Sequence, residues 1–86
     1  MKEVTLFYLK SCPYCRQAIG WQNEIIASDS RFAPIEIEYI EESENPEIAN
    51  SYDYYYVPTY YVDGVKLHEG AATREKVAAV LEEALR

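Results

Sequence analysis

Val4-Thr5-Leu6-Phe7-Tyr8-Leu9-Lys10-Ser11-Cys12-Pro13-Tyr14-Cys15 is the stretch that decides the fold. Its first half is rich in β-branched and aromatic side chains, which predicts a buried strand over residues 3–9. Its second half holds both cysteines of the chain, two residues apart, where strand gives way to a helical pattern. Pro13 suits the first turn of a helix, where its missing N–H is no loss. Cys15, Ala18, Ile19, Gln22, Ile25 and Ile26 then fall on one face, predicting a helix over 13–28. A Cys-X-X-Cys pair at a strand-to-helix junction in a small α/β chain implies thiol–disulfide redox chemistry. The helix mouth sets unpaired N–H groups and partial positive charge beside Cys12, which favours thiolate, the reactive form. Cys15 lies one turn later on the apolar stripe. It is the sulfur predicted to be buried, and it is placed to attack a mixed disulfide formed on Cys12.

Working outward, Gly20 either permits close packing or is simply tolerated, and Asp29 and Ser30 end the helix. Pro34 opens a second predicted strand, Ile35-Glu36-Ile37-Glu38-Tyr39-Ile40, whose alternation of apolar and acidic residues suits a sheet edge. Glu41, Glu42, Ser43 and Glu44 read as a solvated acidic connector. Asn45-Pro46-Glu47 has the cap, the first-turn proline and the early acid of a helix start, predicting a short helix over 46–53. Residues 59–62 and 65–68 read as strands joined by an Asp63-Gly64 hairpin. Gly70 breaks the pattern, and Thr73 precedes a helix whose stripe is Val77, Val80, Leu81, Ala84 and Leu85. The order β-α-β-α-β-β-α predicts an α/β fold in one domain, 1–86, with a right-handed crossover. Its mixed four-stranded sheet carries helices on both faces.

Several polar and aromatic residues keep two readings open. Lys10 and Arg16 either meet a thiolate or substrate carboxylate or simply face water. Pro13 stiffens the two-residue insert, and Tyr14 projects a ring near the sulfurs. Thr73 and the N–H groups after Gly70 either bind a carboxylate or cap the last helix. Alternation sends Tyr60 and Tyr61 to opposite faces. In the cluster Tyr52, Tyr54, Tyr55 and Tyr56, some of Tyr54–Tyr56 either line a groove beside Cys12 or lie over the sheet edge. Two cysteines and His68, a strand residue, fall short of the four ligands a structural zinc wants, so no metal site is expected in one chain.

The 86 residues leave room for one modest core. A net charge of −7 argues against a general nucleic-acid binder and against an anionic membrane surface. No apolar run approaches the roughly 20 residues a bilayer span needs. No signal-peptide pattern is visible, and one cysteine pair is not a secreted disulfide scaffold. The expected setting is the cytoplasm, with thiols reduced at rest.

The chain resembles the glutaredoxins, within the thioredoxin fold, over nearly its whole length. Cys12-Pro13-Tyr14-Cys15 is similar to the dithiol glutaredoxin active site. Val57-Pro58-Thr59 stands where the superfamily places a cis-proline facing that site. Val62-Asp63-Gly64 matches the hairpin that follows, and Gly70 matches a glycine before the last helix. The resemblance implies a three-layer thioredoxin-like fold and a dithiol–disulfide oxidoreductase serving electron transport and cell redox homeostasis. Protein disulfides or glutathione mixed disulfides would be its substrates, with Cys12 as nucleophile and Cys15 as resolving thiol. It implies that Val57 and Pro58 present backbone groups to an extended substrate. It also implies glutathione as co-substrate, with no cofactor bound and the chain a monomer. Substrate or glutathione contacts are expected from Lys10, Pro13, Tyr14, Val57, Pro58, Gly70 and Thr73. The pattern departs from the family where Leu9 replaces a lysine, where Tyr56 replaces a threonine, and where Gly70-Ala71-Ala72 lacks a following acid. Leu6 stands where thioredoxins keep a buried acid. Thioredoxin reductase is therefore a second candidate electron donor, and a dimer bridged by an iron–sulfur centre is a third reading.

Overall fold

Strand β1 (Val4–Tyr8) takes the inner position that its apolar run predicts. In the computed structural model, which describes residues 2–86, β1 pairs in parallel with β2 (Ile37–Glu41). On its other side β1 pairs antiparallel with β3 (Thr59–Val62), which pairs antiparallel with β4 (Val65–Glu69). The strand order β2-β1-β3-β4 puts the alternating strand β2 at an edge, with Glu38 and Tyr39 exposed. Asp63 (φ 48°) and Gly64 (φ 79°) make the two-residue turn between β3 and β4, where both positions need the left-handed region. Asp63 also hooks this turn to the start of β1: its N–H donates to Glu3 O, and its Oδ1 accepts from Glu3 N, both at 2.8 Å.

Helices α1 (Pro13–Ser28) and α3 (Arg74–Ala84) cover one face of the sheet. Leu6, Ala18, Val62, Val77 and Leu81 fill that layer. Full burial of Leu6 or Leu81 contributes roughly 1.5–3 kcal/mol each. The short α2 (Pro46–Asn50) lies over the other face, where Ala49 joins a cluster of Phe7, Ile40 and Tyr61. Tyr60 and Tyr61 point into opposite clusters, as strand alternation requires. The three-layer thioredoxin-like arrangement is thus present, with its seven predicted strands and helices in order.

Several boundaries differ from the sequence reading: β1 is shorter by a residue at each end than 3–9, and β2 runs one residue past Ile40 to Glu41. The second strand begins at Ile37, because a 3-10 turn (Ser30–Phe32) intervenes and Ile35 N–H still donates to Phe32 O at 3.0 Å. Ile35 is core, but as the end of that turn. Helix α2 stops at Asn50: Tyr52 leaves the helix to set its ring 4.7 Å from that of Phe7. Strand β4 runs one residue further, to Glu69. Gly20 is exposed, and a Cβ there would meet nothing within 4 Å, so this glycine serves no close approach.

The apolar stripe of α1 carries one polar residue, the fully buried Gln22. Such a group is tolerated only when its hydrogen bonds are made. Tyr60 donates its hydroxyl to Gln22 Oε1 at 2.8 Å, and Gln22 Nε2 donates to the Tyr39 hydroxyl at 2.7 Å. The amide therefore straps α1 to β3 and β2. Among the described residues, no helix is long and apolar enough to cross a membrane.

Candidate active site

Where β1 ends, the chain turns through Leu9–Ser11, and Cys12 N–H donates to Leu9 O at 3.1 Å. Cys12 is the N-cap of α1, in an extended conformation, and its carbonyl accepts the first intrahelical bond from Arg16 N–H at 3.1 Å. Pro13, exposed, occupies the first helical position and brings no N–H. The N–H groups of Tyr14 and Cys15 have no carbonyl four residues back in the helix, so this mouth carries unpaired donors and the positive end of the helix dipole. Both thiols are free. Cys12 is half-buried, with Sγ 4.0 Å from the carbonyl oxygen of Val57. Cys15 is fully buried, and burial pushes its thiol up to about 12. At neutral pH Cys15 therefore holds its proton.

The turn before Cys12 is held by an acid from the edge of the sheet. Glu41, at the end of β2, is only 6% exposed. Its Oε2 accepts from Lys10 N–H at 3.0 Å. Its Oε1 accepts from the Ser43 hydroxyl, from Ser43 N–H at 2.7 Å and from Glu44 N–H at 3.2 Å. These donors, the Ser43 hydroxyl first, hold its carboxyl down to about 2. The two flanking cations serve the same frame. Lys10 Nζ pairs with Glu44 Oε2 at 2.7 Å, and Arg16 Nη1 donates to Lys10 O at 3.0 Å. The connector read as merely solvated thus contains the anchor of the cysteine turn.

The facing wall is the segment between α2 and β3, and the Val57–Pro58 peptide in it is cis. Five of its polar backbone groups have a partner from the hairpin or from Gly70 just beyond it. Asp53 O accepts from the Tyr61 hydroxyl at 2.8 Å and from Lys66 Nζ at 3.0 Å. Glu69 Oε2 accepts from the N–H groups of both Tyr55 and Tyr56, the latter at 3.0 Å. Thr59 Oγ1 donates to Tyr56 O, and Gly70 N–H donates to Pro58 O at 2.8 Å. Lys66 Nζ also pairs with Glu69 Oε1 at 2.8 Å. Lys66 first, then the two N–H groups, holds the Glu69 carboxyl down to about 2. Among the described residues, Val57 N–H has no intrachain acceptor and its carbonyl faces only Cys12 Sγ.

The sequence-predicted site residues divide accordingly. Cys12, Val57 and Pro58 meet at one place, with Cys15 beneath. Tyr14 is 57% exposed beside them in sequence. Gly70 (φ +90°) acts through its N–H on Pro58, and its carbonyl lies 2.8 Å from His68 Nε2. Thr73 caps α3, accepting from Lys76 N–H at 3.2 Å. The tyrosines split: Tyr52 and Tyr54 turn inward onto Phe7, whereas Tyr55 and Tyr56 are 86% and 70% exposed. Glu41, Glu69 and Lys66 escape the sequence reading. Glu69 acts 13 and 14 residues back along the chain, on main-chain groups that carry no residue signature. Among the described residues, no group of three or more His, Cys, Asp or Glu side chains is placed to hold a metal ion.

A half-exposed thiol on a helix mouth, a buried partner thiol and a cis-proline wall, carried by this sheet order, define a thioredoxin-fold protein. The family described as the thioredoxin domain matches residues 2–82, and the chain belongs to it. It is 32% identical over 83 residues to the thioredoxin of Methanocaldococcus jannaschii, a match covering 96% of this chain and 95% of that protein. Among solved structures it is similar to oxidised thioredoxin from Plasmodium falciparum, with a TM-score of 0.74 and 14% identity over 99% of this chain and 82% of that one. It is also similar to a mutant thioredoxin from Halobacterium salinarum, with a TM-score of 0.71 and 19% identity over 99% of this chain and 75% of that one. At these identities the two structures speak for the fold. The family shown is the broader thioredoxin one, within which the glutaredoxin likeness rests on the short motifs quoted above.

Proposed function

We propose that this protein is a dithiol–disulfide oxidoreductase that reduces disulfides in polypeptides. The observation that carries this reading is the pair of unlike sulfurs: Cys12 half-buried at the mouth of α1 and 4.0 Å from Val57 O, Cys15 fully buried one turn on. Cys12, as thiolate, attacks one sulfur of a substrate disulfide. The other substrate sulfur leaves as a thiolate and takes up a proton. Cys15 gives up its proton and attacks Cys12 Sγ, which breaks the mixed disulfide and expels the second substrate thiolate. Two electrons pass to the substrate, and the chain is left with a Cys12–Cys15 disulfide. The free N–H and C=O of Val57 suit strand-like pairing with the substrate backbone on either side of its cysteine. Every group this cycle uses comes from one chain.

The electron donor that fits best is a thioredoxin reductase. The relative matched over 95% of its length is a thioredoxin. Gly70-Ala71-Ala72 also offers no acid to hold the amino group of glutathione. A second reading, glutathione as co-substrate in glutaredoxin fashion, draws on the Cys12-Pro13-Tyr14-Cys15 motif. One side-by-side assay separates them. Reduction of a polypeptide disulfide is followed with NADPH and thioredoxin reductase, and in parallel with NADPH, glutathione and glutathione reductase. Turnover in the first system alone is expected. Turnover in the second alone would establish the glutathione reading, and turnover in neither, even with dithiothreitol as donor, would remove the oxidoreductase reading.

A further inference from the structure

We infer that Glu69 is a positioning residue for polypeptide substrates, holding the Tyr55–Tyr56 backbone so that Val57 and two exposed rings meet the incoming chain beside Cys12. This rests on the oxidoreductase reading and adds to it the part that decides which disulfides are reduced well.

The segment 53–58 has no regular structure of its own, and the one local bond on it is that of the Thr59 hydroxyl to Tyr56 O. Its shape comes from bonds thrown across from β3, β4 and Gly70. Glu69 supplies two of them, and it is the acceptor for both N–H groups of the two residues before Val57. Lys66 sets the orientation of that carboxylate by pairing with its other oxygen at 2.8 Å, while the same ammonium bonds Asp53 O at 3.0 Å. One ion pair of β4 therefore grips the segment at three points, Asp53, Tyr55 and Tyr56. On the far side, Gly70 grips Pro58. Between the two grips only Val57 keeps its backbone groups free.

The rings gain from the same arrangement. Tyr55 and Tyr56 are 86% and 70% exposed, so packing does not fix them. Their backbone is fixed instead, by Glu69. Tyrosines on a rigid backbone give broad contact at small entropic cost, which suits an extended polypeptide with apolar side chains. Without Glu69 the two N–H groups turn to water and the segment moves. A substrate chain must then order it on binding, and the cost falls on KM. A small disulfide that reaches Cys12 without touching Val57 or the rings feels little of this.

The test compares the full chain with E69A, E69Q and E69D on a polypeptide disulfide and on bis(2-hydroxyethyl) disulfide, with a fixed reductant. For E69A the polypeptide KM should rise about tenfold with kcat within about threefold, whereas the small disulfide should lose no more than about twofold. E69Q keeps an acceptor oxygen at the same reach and should recover most of the polypeptide KM. Should E69A fail to fold, E69D, which withdraws the carboxylate by one methylene, carries the same expectation at about threefold. A polypeptide KM within twofold of the parent, an equal loss on both disulfides, or no recovery in E69Q would overturn the inference. A parent protein that reduces neither disulfide would instead overturn the oxidoreductase reading beneath it.

Discussion

The two walls of the site are built in opposite ways, although each ends on a carboxylate at the close of an edge strand. The cysteine wall is largely self-made: a turn off β1, a proline at the first helical position, and a helix that buries Cys15 by its own periodicity. Glu41 braces it, and three of the four hydrogen bonds to that carboxylate come from the next three residues. The proline wall has little local support beyond the Thr59 hydroxyl on Tyr56 O. Its polar backbone is held by Tyr61, Lys66, Glu69 and Gly70, all from the hairpin or just beyond it. A reactive group benefits from a frame that forms with the helix itself. A substrate rest can be assembled last, from tertiary bonds, and so can be tuned without disturbing the sulfurs.

Three substitutions test this contrast first. Cys12→Ser should remove disulfide turnover by about a thousandfold or more, measured as the initial rate on any disulfide, because the attacking sulfur is gone. Cys15→Ser should leave the first attack intact and accumulate a mixed disulfide visible by mass. Tyr60→Phe strikes the cysteine wall from beneath. It leaves Gln22 Oε1 without its buried donor and should cost about 1–3 kcal/mol in chemical denaturation. Tyr55 and Tyr56 amide exchange should change less than that of α1.

Acid acts on both walls. Glu41 and Glu69 each sit at about 2, below the ordinary 4.5, so the stabilisation they give is complete above about 4.5 and is lost as pH falls through 2. The parent should therefore lose stability across that window. Glu41→Gln and Glu69→Gln should each flatten the slope, read as denaturation midpoint against pH. The smallest effect belongs to Gly20→Ala, on the exposed side of α1, where a Cβ meets nothing. It should stabilise by about 0.4–1 kcal/mol without touching turnover.

The same contrast explains what the sequence discloses. Helix 13–28, strand 59–62 and the Asp63–Gly64 turn are legible because their determinants are local: spacing, a first-turn proline, a dipeptide that accepts positive φ. The burial of Cys15 follows from its place on the stripe. Glu69 is not legible, since its partners are main-chain groups reached only once the hairpin has folded back. The division of the tyrosines is hidden for a similar reason: Phe7, three elements away, selects Tyr52 and Tyr54 for its face and leaves Tyr55 and Tyr56 outside. Ile35 misleads because an apolar residue before a strand looks like the strand, while a 3-10 turn needs only one bond to Phe32. The Cys-Pro-Tyr-Cys motif pulls the reading towards glutaredoxins, whereas the match over residues 2–82 and the 32% identical relative are to thioredoxins.

The inequality of the two sulfurs is the point on which everything above depends, and limited alkylation measures it directly. The fully reduced protein is treated with substoichiometric iodoacetamide under native conditions, and the singly labelled product is fragmented to locate the label. Label on Cys12, with Cys15 modified only after denaturation, is the predicted result. Equal labelling of the two, or faster labelling of Cys15, would contradict the account.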